Sequence, residues 1–268
     1  MNDTIQKKWE WFSKFFLIDQ KNKKNIVYFH AFTGSYKNKS NIVDKFLDCN
    51  FYAFDMPGHG QTPILNESEV SIHNFSELAI EFILDYDIKN IILFGHSMGG
   101  GICNIIANDS RISNRIEKII LESPANPASK KNYETIIKHL IPDTLEQMEM
   151  IGKELFYDPI AFFGSQKNYA RFISIEFQRL QKQKLLKRII DQENQEELNI
   201  GAQQAIKANK KPTLLILGKE DNIIPYEESV LIFKQNPAFE IFSIENAKHV
   251  PIAEKTNIAL SKINDFIK

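Results

Sequence analysis

Hydrophobic residues in this chain form short runs, separated by longer stretches that have helical periodicity. Most runs contain three or four consecutive apolar residues and end at polar or turn-forming residues. Continuous runs of this kind are typical of strands that are buried on both faces. The sequence therefore predicts strands at residues 26–29, 51–54, 91–94, 119–121, 214–217 and 241–244, and another at 15–18 before a polar hairpin turn.

Apolar residues recur every three or four positions between these strands, which predicts helices. The predicted helices cover residues 41–49, 71–86, 99–107, 226–233 and 251–267. Parallel strands need such crossover connections, and helices on both faces would bury the sheet. The fold class is therefore α/β, with a mostly parallel sheet and helices on both faces.

The alternation of strands and helices fails between Asn126 and Asn209. No strand run of comparable strength occurs there, and apolar spacing is helical, as at Phe177, Leu180 and Leu185. We interpret residues 126–209 as a helical insertion into a core domain formed by residues 1–125 and 210–268. Four phenylalanines of the insertion are candidate walls of a substrate pocket or plain core residues: Phe156, Phe162, Phe163 and Phe172.

The sequence Gly95-His96-Ser97-Met98-Gly99 matches the pattern G-x-S-x-G. It lies directly after a predicted strand and before a predicted helix, where a sharp turn would expose the serine hydroxyl. Glycines two positions either side let the strand and helix approach without a Cβ clash. A phosphate-binding loop is the alternative, but the G-K-[ST] ending is missing. Ser97 is therefore the candidate nucleophile.

A candidate acid and a candidate base follow Ser97 in the chain. Asp221 comes just after the predicted strand 214–217, and His249 follows the strand 241–244. The carboxyl ends of parallel strands meet at one edge of the sheet, where separate loops can bring such residues together. We expect His249 to act as general base and Asp221 to orient it, and Glu220 and Glu122 are less favoured alternatives for the acid.

Backbone N–H groups near Ser97 are candidate donors to an oxyanion. Met98 starts the helix after the nucleophile, and Phe32 lies in a loop after the strand 26–29. We expect these two N–H groups to form the oxyanion hole. A metal site built from His30, His59 and His96 is the less favoured alternative for the histidines, so we expect neither metal nor cofactor.

Composition restricts the class of partner. The formal net charge is −1 and the pI is about 6.6, so no basic field indicates a nucleic-acid partner. No apolar run reaches the roughly 18 residues of a membrane span, and we expect no stable membrane insertion. The two cysteines, Cys49 and Cys103, lack metal-ligand spacing and are interpreted as buried apolar residues of a cytoplasmic protein.

These motifs together resemble the α/β-hydrolase superfamily. The resemblance rests on segments 30–34, 55–60 and 95–100, followed by Asp221 and His249. It implies a mostly parallel eight-stranded sheet with a helical cap inserted after the sixth strand, here residues 126–209. One departure is His30-Ala31, where the family usually has His-Gly.

The chain looks most like the small esterases, lipases and thioesterases of that superfamily. The resemblance implies hydrolysis of a carboxylic ester or thioester through an acyl-enzyme on Ser97, with a small-molecule acyl compound as substrate. Peptidases and carbon–carbon bond hydrolases use similar motifs and remain the alternative enzymes. A binding protein on a hydrolase scaffold is the non-enzyme alternative.

Overall fold

The computed structural model describes residues 3–19 and 21–268. Within these residues the chain forms one sheet in the order β1-β3-β2-β4-β5-β6-β7. β1 runs antiparallel to β3, and all other neighbours are parallel. The strands are β1 (Lys14–Leu17), β2 (Lys24–Phe29), β3 (Cys49–Phe54), β4 (Ile91–His96), β5 (Ile116–Glu122), β6 (Thr213–Gly218) and β7 (Phe239–Ile244). The predicted α/β class is confirmed.

The expected eight strands are corrected to seven in the described residues. The stretch before β1 is a helix, α1 (Asp3–Trp9), whose Trp9 side chain is fully buried, so no further strand forms there. The segment 126–209, which is predicted to be an insertion, therefore follows the fifth strand rather than the sixth. The predicted hairpin after residues 15–18 is also wrong, because β1 pairs with β3 instead of with the next strand.

Helices cover both faces of the sheet. They are α2 (Ile72–Asp85), α3 (Met98–Ile106), α4 (Leu145–Leu155), α5 (Pro159–Phe163), α6 (Gln166–Gln181), α7 (Gln192–Ala208), α8 (Tyr226–Phe233), α9 (Pro251–Glu254) and α10 (Thr256–Ile267). The segment 126–209 contains α4 to α7 and, in a stretch that is fully described, no strand.

Two helix predictions differ from the structure. Residues 41–49 contain a short 3₁₀ turn at Val43–Lys45 and then enter β3. Asp48 has a φ of 54°, which ends any helix before that point, and so short a helix is marginal. The predicted terminal helix is divided into α9 and α10 at Lys255, whose φ of −129° is not helical.

Alternate residues of the central strands supply the two cores. Val27 and Phe29 of β2 face one core, which is covered by α2, α3 and α7. Ile26 and Tyr28 face the other core, which is covered by α10. All four side chains are fully buried, as expected for a strand covered on both faces. This burial holds the carboxyl ends of the strands in fixed positions.

Helix α7 packs closely on the core helices although it belongs to the insertion. A Cβ built on Gly201 would lie 2.3 Å from Cγ1 of Ile105 on α3, so only glycine allows this approach. The Oδ1 atom of Asn194 accepts the N–H of Ile72, the first residue of α2, at 2.6 Å. The first turn of α2 is thus completed by a side chain from α7.

Candidate active site

Ser97 lies in a sharp turn between β4 and α3. Its φ of 52° and ψ of −115° are unfavourable for a residue with a side chain. The turn is held by backbone hydrogen bonds: the Ser97 N–H donates to the Glu122 carbonyl at 2.9 Å, and the Ser97 carbonyl accepts from Gly101 at 3.0 Å and Ala125 at 2.9 Å. These bonds fix the serine where the hydroxyl projects beyond the sheet edge.

The two glycines of the motif are required by close backbone contacts. A Cβ on Gly95 would lie 2.4 Å from the carbonyl oxygen of Gly99. A Cβ on Gly99 would lie 2.1 Å from the carbonyl oxygen of Phe29 in β2. Any larger residue would push α3 away from the sheet and carry Ser97 with it.

The structure brings Ser97, His249 and Asp221 together. Nε2 of His249 lies 2.9 Å from Oγ of Ser97, and Nδ1 lies 2.9 Å from Oδ2 of Asp221. Asp221 and His249 are 3% and 4% exposed, so water competes little for these bonds. The other Asp221 oxygen, Oδ1, accepts the N–H groups of Ile223 at 2.9 Å and Ile224 at 3.0 Å.

The two less favoured candidates for the acid, Glu220 and Glu122, contact other groups. Oε2 of Glu220 accepts the N–H of Ala247 at 3.1 Å. Glu122 is fully buried, forms an ion pair with Lys39, and accepts the N–H of Ile252 at 3.0 Å. Burial opposes ionisation of Glu122, but the surrounding charges and hydrogen bonds hold the pKa of its carboxyl below the usual value. Among the three acids, Asp221 alone has a hydrogen bond to His249 in the described chain.

His96 packs behind His249. Its Nε2 atom lies 2.9 Å from the His249 carbonyl oxygen and donates to it. Burial lowers the pKa of His96 to about 4, so the ring is neutral at physiological pH and Nδ1 carries no proton. Nδ1 lies 3.9 Å from Oε2 of Glu122. No local pattern in the sequence indicates this contact.

The predicted oxyanion donors, Phe32 and Met98, both line a cavity that Ser97 also lines. Phe32 lies in a tight turn in which Gly34 N–H donates to the Ala31 carbonyl at 2.9 Å and Thr33 has a φ of 60°. Met98 is the first residue of α3. Within residues 3–19 and 21–268, neither the Phe32 N–H nor the Met98 N–H donates to a protein acceptor. Their assignment as oxyanion donors stays a prediction.

Two small cavities meet at Ser97. The first, of about 80 Å³, also borders His249 and is walled by apolar residues of α4 and α6, namely Met148, Ile151, Leu155, Phe172 and Leu180. The second, of about 30 Å³, is walled mainly by Met98, Ile189, Ile190, Leu198 and Ile223. Most of these apolar walls come from the insertion, so its helices complete the site.

The candidate pocket phenylalanines have different positions. Phe172 lines the 80 Å³ cavity, and with Phe163 it also lines an open groove of about 380 Å³. Phe156 and Phe162 pack against each other with ring centroids 4.6 Å apart and line neither cavity. The predicted pocket residues did not include Met148, Ile151 and Leu155, although their spacing of three and four on α4 places them on one helix face.

The other candidate histidines lie together beneath the loop that carries Phe32. The rings of His30 and His59 are 4.8 Å apart, and Nε2 of His30 accepts the Met56 N–H at 3.0 Å. Burial lowers the pKa of both imidazoles. No metal-binding group of three or more His, Cys, Asp or Glu residues occurs among the described residues.

Two further expectations concern cysteines and membranes. Cys49 and Cys103 are buried free thiols, and burial raises the pKa of Cys49 to about 11. None of the helices in residues 3–19 and 21–268 has both the length and the apolar character needed to cross a bilayer.

Comparison with known proteins gives matches over most of the chain. Residues 24–256 match the family model of the alpha/beta hydrolase fold. A Mycoplasma pneumoniae protein named "Putative esterase/lipase 1" is 34% identical over 250 residues, which are 92% of each chain.

Solved structures give a similar result for the fold. An esterase from Exiguobacterium antarcticum has a TM-score of 0.72 and 16% identity, covering 96% of this chain and 95% of its own. A meta-cleavage product hydrolase from Pseudomonas fluorescens has a TM-score of 0.76 and 16% identity, covering 96% and 93%. At such identities the likeness concerns the fold alone.

Proposed function

Because this chain belongs to the alpha/beta hydrolase fold family, we propose that it is a serine hydrolase that cleaves carboxylic esters or thioesters through an acyl-enzyme on Ser97. The observation that carries the proposal is the position of His249, whose two ring nitrogens lie 2.9 Å from Ser97 and from Asp221. This is the arrangement in which an imidazole can accept a hydroxyl proton while a carboxylate fixes its tautomer. The relationship to a protein named as an esterase/lipase supports the ester as substrate.

Acylation of Ser97 follows from these contacts. His249 Nε2 takes the hydroxyl proton as Oγ attacks the carbonyl carbon, and the negative charge develops on the carbonyl oxygen. The N–H groups of Phe32 and Met98 stabilise this oxyanion. The bond to the alcohol or thiol then breaks, and the imidazolium of His249 gives its proton to the departing oxygen or sulfur. Asp221 stabilises the imidazolium but stays ionised.

Deacylation repeats these steps with water as nucleophile. His249 Nε2 takes a proton from water as its oxygen attacks the acyl carbon, and the proton then passes to Oγ of Ser97 as the acid leaves. The backbone hydrogen bonds to Glu122, Gly101 and Ala125 keep Ser97 in its strained turn. The nucleophile therefore needs little reorganisation during either step.

The cavities favour short acyl groups. Their volumes of about 80 and 30 Å³ are well below the roughly 300–1,000 Å³ of sites for drug-sized ligands. Apolar walls such as Leu155 and Leu180 favour an alkyl chain over a charged one. We therefore expect acetyl and butyryl esters to react better than octanoyl esters.

The test combines covalent labelling with ester turnover. Nitrophenyl acetate, butyrate and octanoate should be hydrolysed with the highest kcat/KM for the two shorter esters, and a fluorophosphonate probe should label the protein. Ser97→Ala should abolish labelling and lower kcat by roughly 10⁴ to 10⁶. Ser129→Ala, a matched serine on the neighbouring 3₁₀ segment Pro127–Asn132, should leave both unchanged.

Two outcomes would contradict the proposal. Turnover that survives in Ser97→Ala would remove Ser97 as the nucleophile. Labelling of Ser97 without turnover of any ester or thioester would refute the proposed substrate class and favour an amide or carbon–carbon bond as the one cleaved.

A further inference from the structure

A buried ion pair lies next to the candidate site and takes no part in the proposed proton transfers. The side chains of Lys39 and Glu122 are 4% and 0% exposed. The Lys39 ammonium also lies 5.8 Å from the centre of the Phe94 ring. A buried ion pair is a weak stabilising device, because the desolvation of both charges offsets their attraction. The contacts of Glu122 indicate a different use.

Glu122 contacts both partners of the candidate proton transfer through different groups. Its backbone carbonyl accepts the N–H of Ser97 at 2.9 Å. Its carboxylate oxygen Oε1 accepts the N–H of Ile252 at 3.0 Å, three residues after His249. One residue therefore holds the backbone of the nucleophile with its own backbone and holds the histidine loop with its side chain.

His96 fixes the other end of the histidine loop. Its Nε2–H donates to the carbonyl of His249 at 2.9 Å. Its Nδ1 atom faces Oε2 of Glu122 at 3.9 Å, and Lys39 is bound to the same oxygen. The loop is thus held at the carbonyl of residue 249 by His96 and at the N–H of residue 252 by Glu122.

We propose that Glu122 is a positioning residue that sets the distance between Ser97 Oγ and His249 Nε2, and that Lys39 balances the buried charge of its carboxylate. This inference rests on the proposed function, because it concerns the same serine and histidine. Glu122 does not touch the substrate or the transferred proton. It acts through the Ser97 N–H and through the Ile252 N–H, which lies three residues after His249.

The experiment removes both charges first, so that no unpaired buried charge confuses the result. Two double variants are compared, Lys39→Met/Glu122→Gln and Lys39→Met/Glu122→Leu. Glutamine keeps an oxygen that can accept the Ile252 N–H, whereas leucine has a similar size and no acceptor. Lys37→Met is the matched control, because Lys37 lies in the same 3₁₀ turn, Tyr36–Lys39, with an exposed side chain.

The readout is kcat and KM for nitrophenyl butyrate, with the concentration of folded sites measured by fluorophosphonate titration. We expect the glutamine variant to keep kcat within about fivefold of the parent protein, and the leucine variant to lose about 100-fold, because a displacement of about 1 Å can have that effect. KM should change less than twofold in both, since neither side chain lines the cavities. Lys37→Met should match the parent.

The contrary results separate two failures. Equal kcat in the glutamine and leucine variants, or a loss that appears only as a smaller titratable fraction, would overturn the positioning role. If neither double variant folds, the single variants Glu122→Gln and Glu122→Leu are measured in the same way, and equal kcat in the two would overturn the role too. Full turnover by Ser97→Ala would instead refute the proposed function itself.

Discussion

Replacing Asp221 by asparagine tests the orientation of the histidine most directly. Two backbone N–H groups, from Ile223 and Ile224, donate to Oδ1 of this residue. Asparagine would keep its oxygen toward them and place its NH₂ group against Nδ1 of His249. That nitrogen would then have to accept a hydrogen bond, which puts the imidazole proton on Nε2. In this tautomer His249 cannot take the proton of Ser97.

The magnitude follows from the bonds that hold the asparagine. Turning its amide over would lose two hydrogen bonds of roughly 1 kcal/mol each, about 2 kcal/mol together. Fewer than about one molecule in 30 would therefore have the productive tautomer. Loss of the carboxylate charge beside the imidazolium lowers the rate further, so we expect kcat to fall by between about 30-fold and 10⁴-fold.

The assay is steady-state hydrolysis of nitrophenyl butyrate, and the matched control is Glu220→Gln. Glu220 is the adjacent acid in the chain. Its carboxylate accepts a hydrogen bond from the Ala247 N–H and has no hydrogen bond to His249 among the described residues. Glutamine can keep that bond, so kcat should stay within about twofold. An Asp221→Asn variant with the parent's kcat, or a large loss in Glu220→Gln, would refute the assignment of the acid.

Three further predictions use the same protein. Gly95→Ala puts a Cβ 2.4 Å from a backbone oxygen of α3, so kcat should fall about 100-fold and the free energy of unfolding by about 1–3 kcal/mol. Gly201→Ala is the control, because its Cβ would lie 2.3 Å from a side chain of α3 and should lower the Tm but not kcat. The pKa of His96 falls from 6.5 to about 4 on folding, so between these pH values the unfolded chain binds more protons than the folded one. The free energy of unfolding should therefore fall by roughly 3 kcal/mol as the pH drops from 6.5 to 4. Thermal unfolding of His96→Gln should show a smaller loss over the same pH range, and an equal loss would contradict this prediction. Cys49 and Cys103 are buried thiols, so a disulfide-exchange reagent should titrate them quickly only in urea, and rapid reaction of the native protein would refute their burial.

The parts of the fold and site that the sequence predicted rest on local signals. The apolar runs located the central strands because both faces of a parallel sheet exclude water. The G-x-S-x-G pattern located Ser97 because its glycines avoid backbone clashes between β4 and α3 and between α3 and β2. Asp221 and His249 were predicted to lie together because each is in the loop after a parallel strand, and in the structure their side chains are in contact.

The parts that the sequence did not predict depend on contacts between distant segments. β1 pairs with β3 although β2 lies between them in sequence, and no local pattern specifies that partner. The pairing of Lys39 with Glu122 joins residues 83 positions apart, and a lone lysine in a polar loop resembles any exposed lysine. The short 3₁₀ turn at Val43–Lys45 has a helical pattern but ends at Phe46, whose backbone is extended, and the φ of 54° at Asp48 prevents a helix from continuing to residue 49.

The attachment of α7 determines where the insertion can be exchanged between related proteins. Its Asn194 completes the first turn of α2, and its Gly201 rests against Ile105. A graft that replaced the whole insertion would remove this side chain from α2 and expose the apolar surface of α3. A chimera should therefore be joined between α6 and α7. Helices α4 to α6, of which α4 and α6 line the cavity next to Ser97, would then come from the related protein, and α7 would stay with the sheet of this chain.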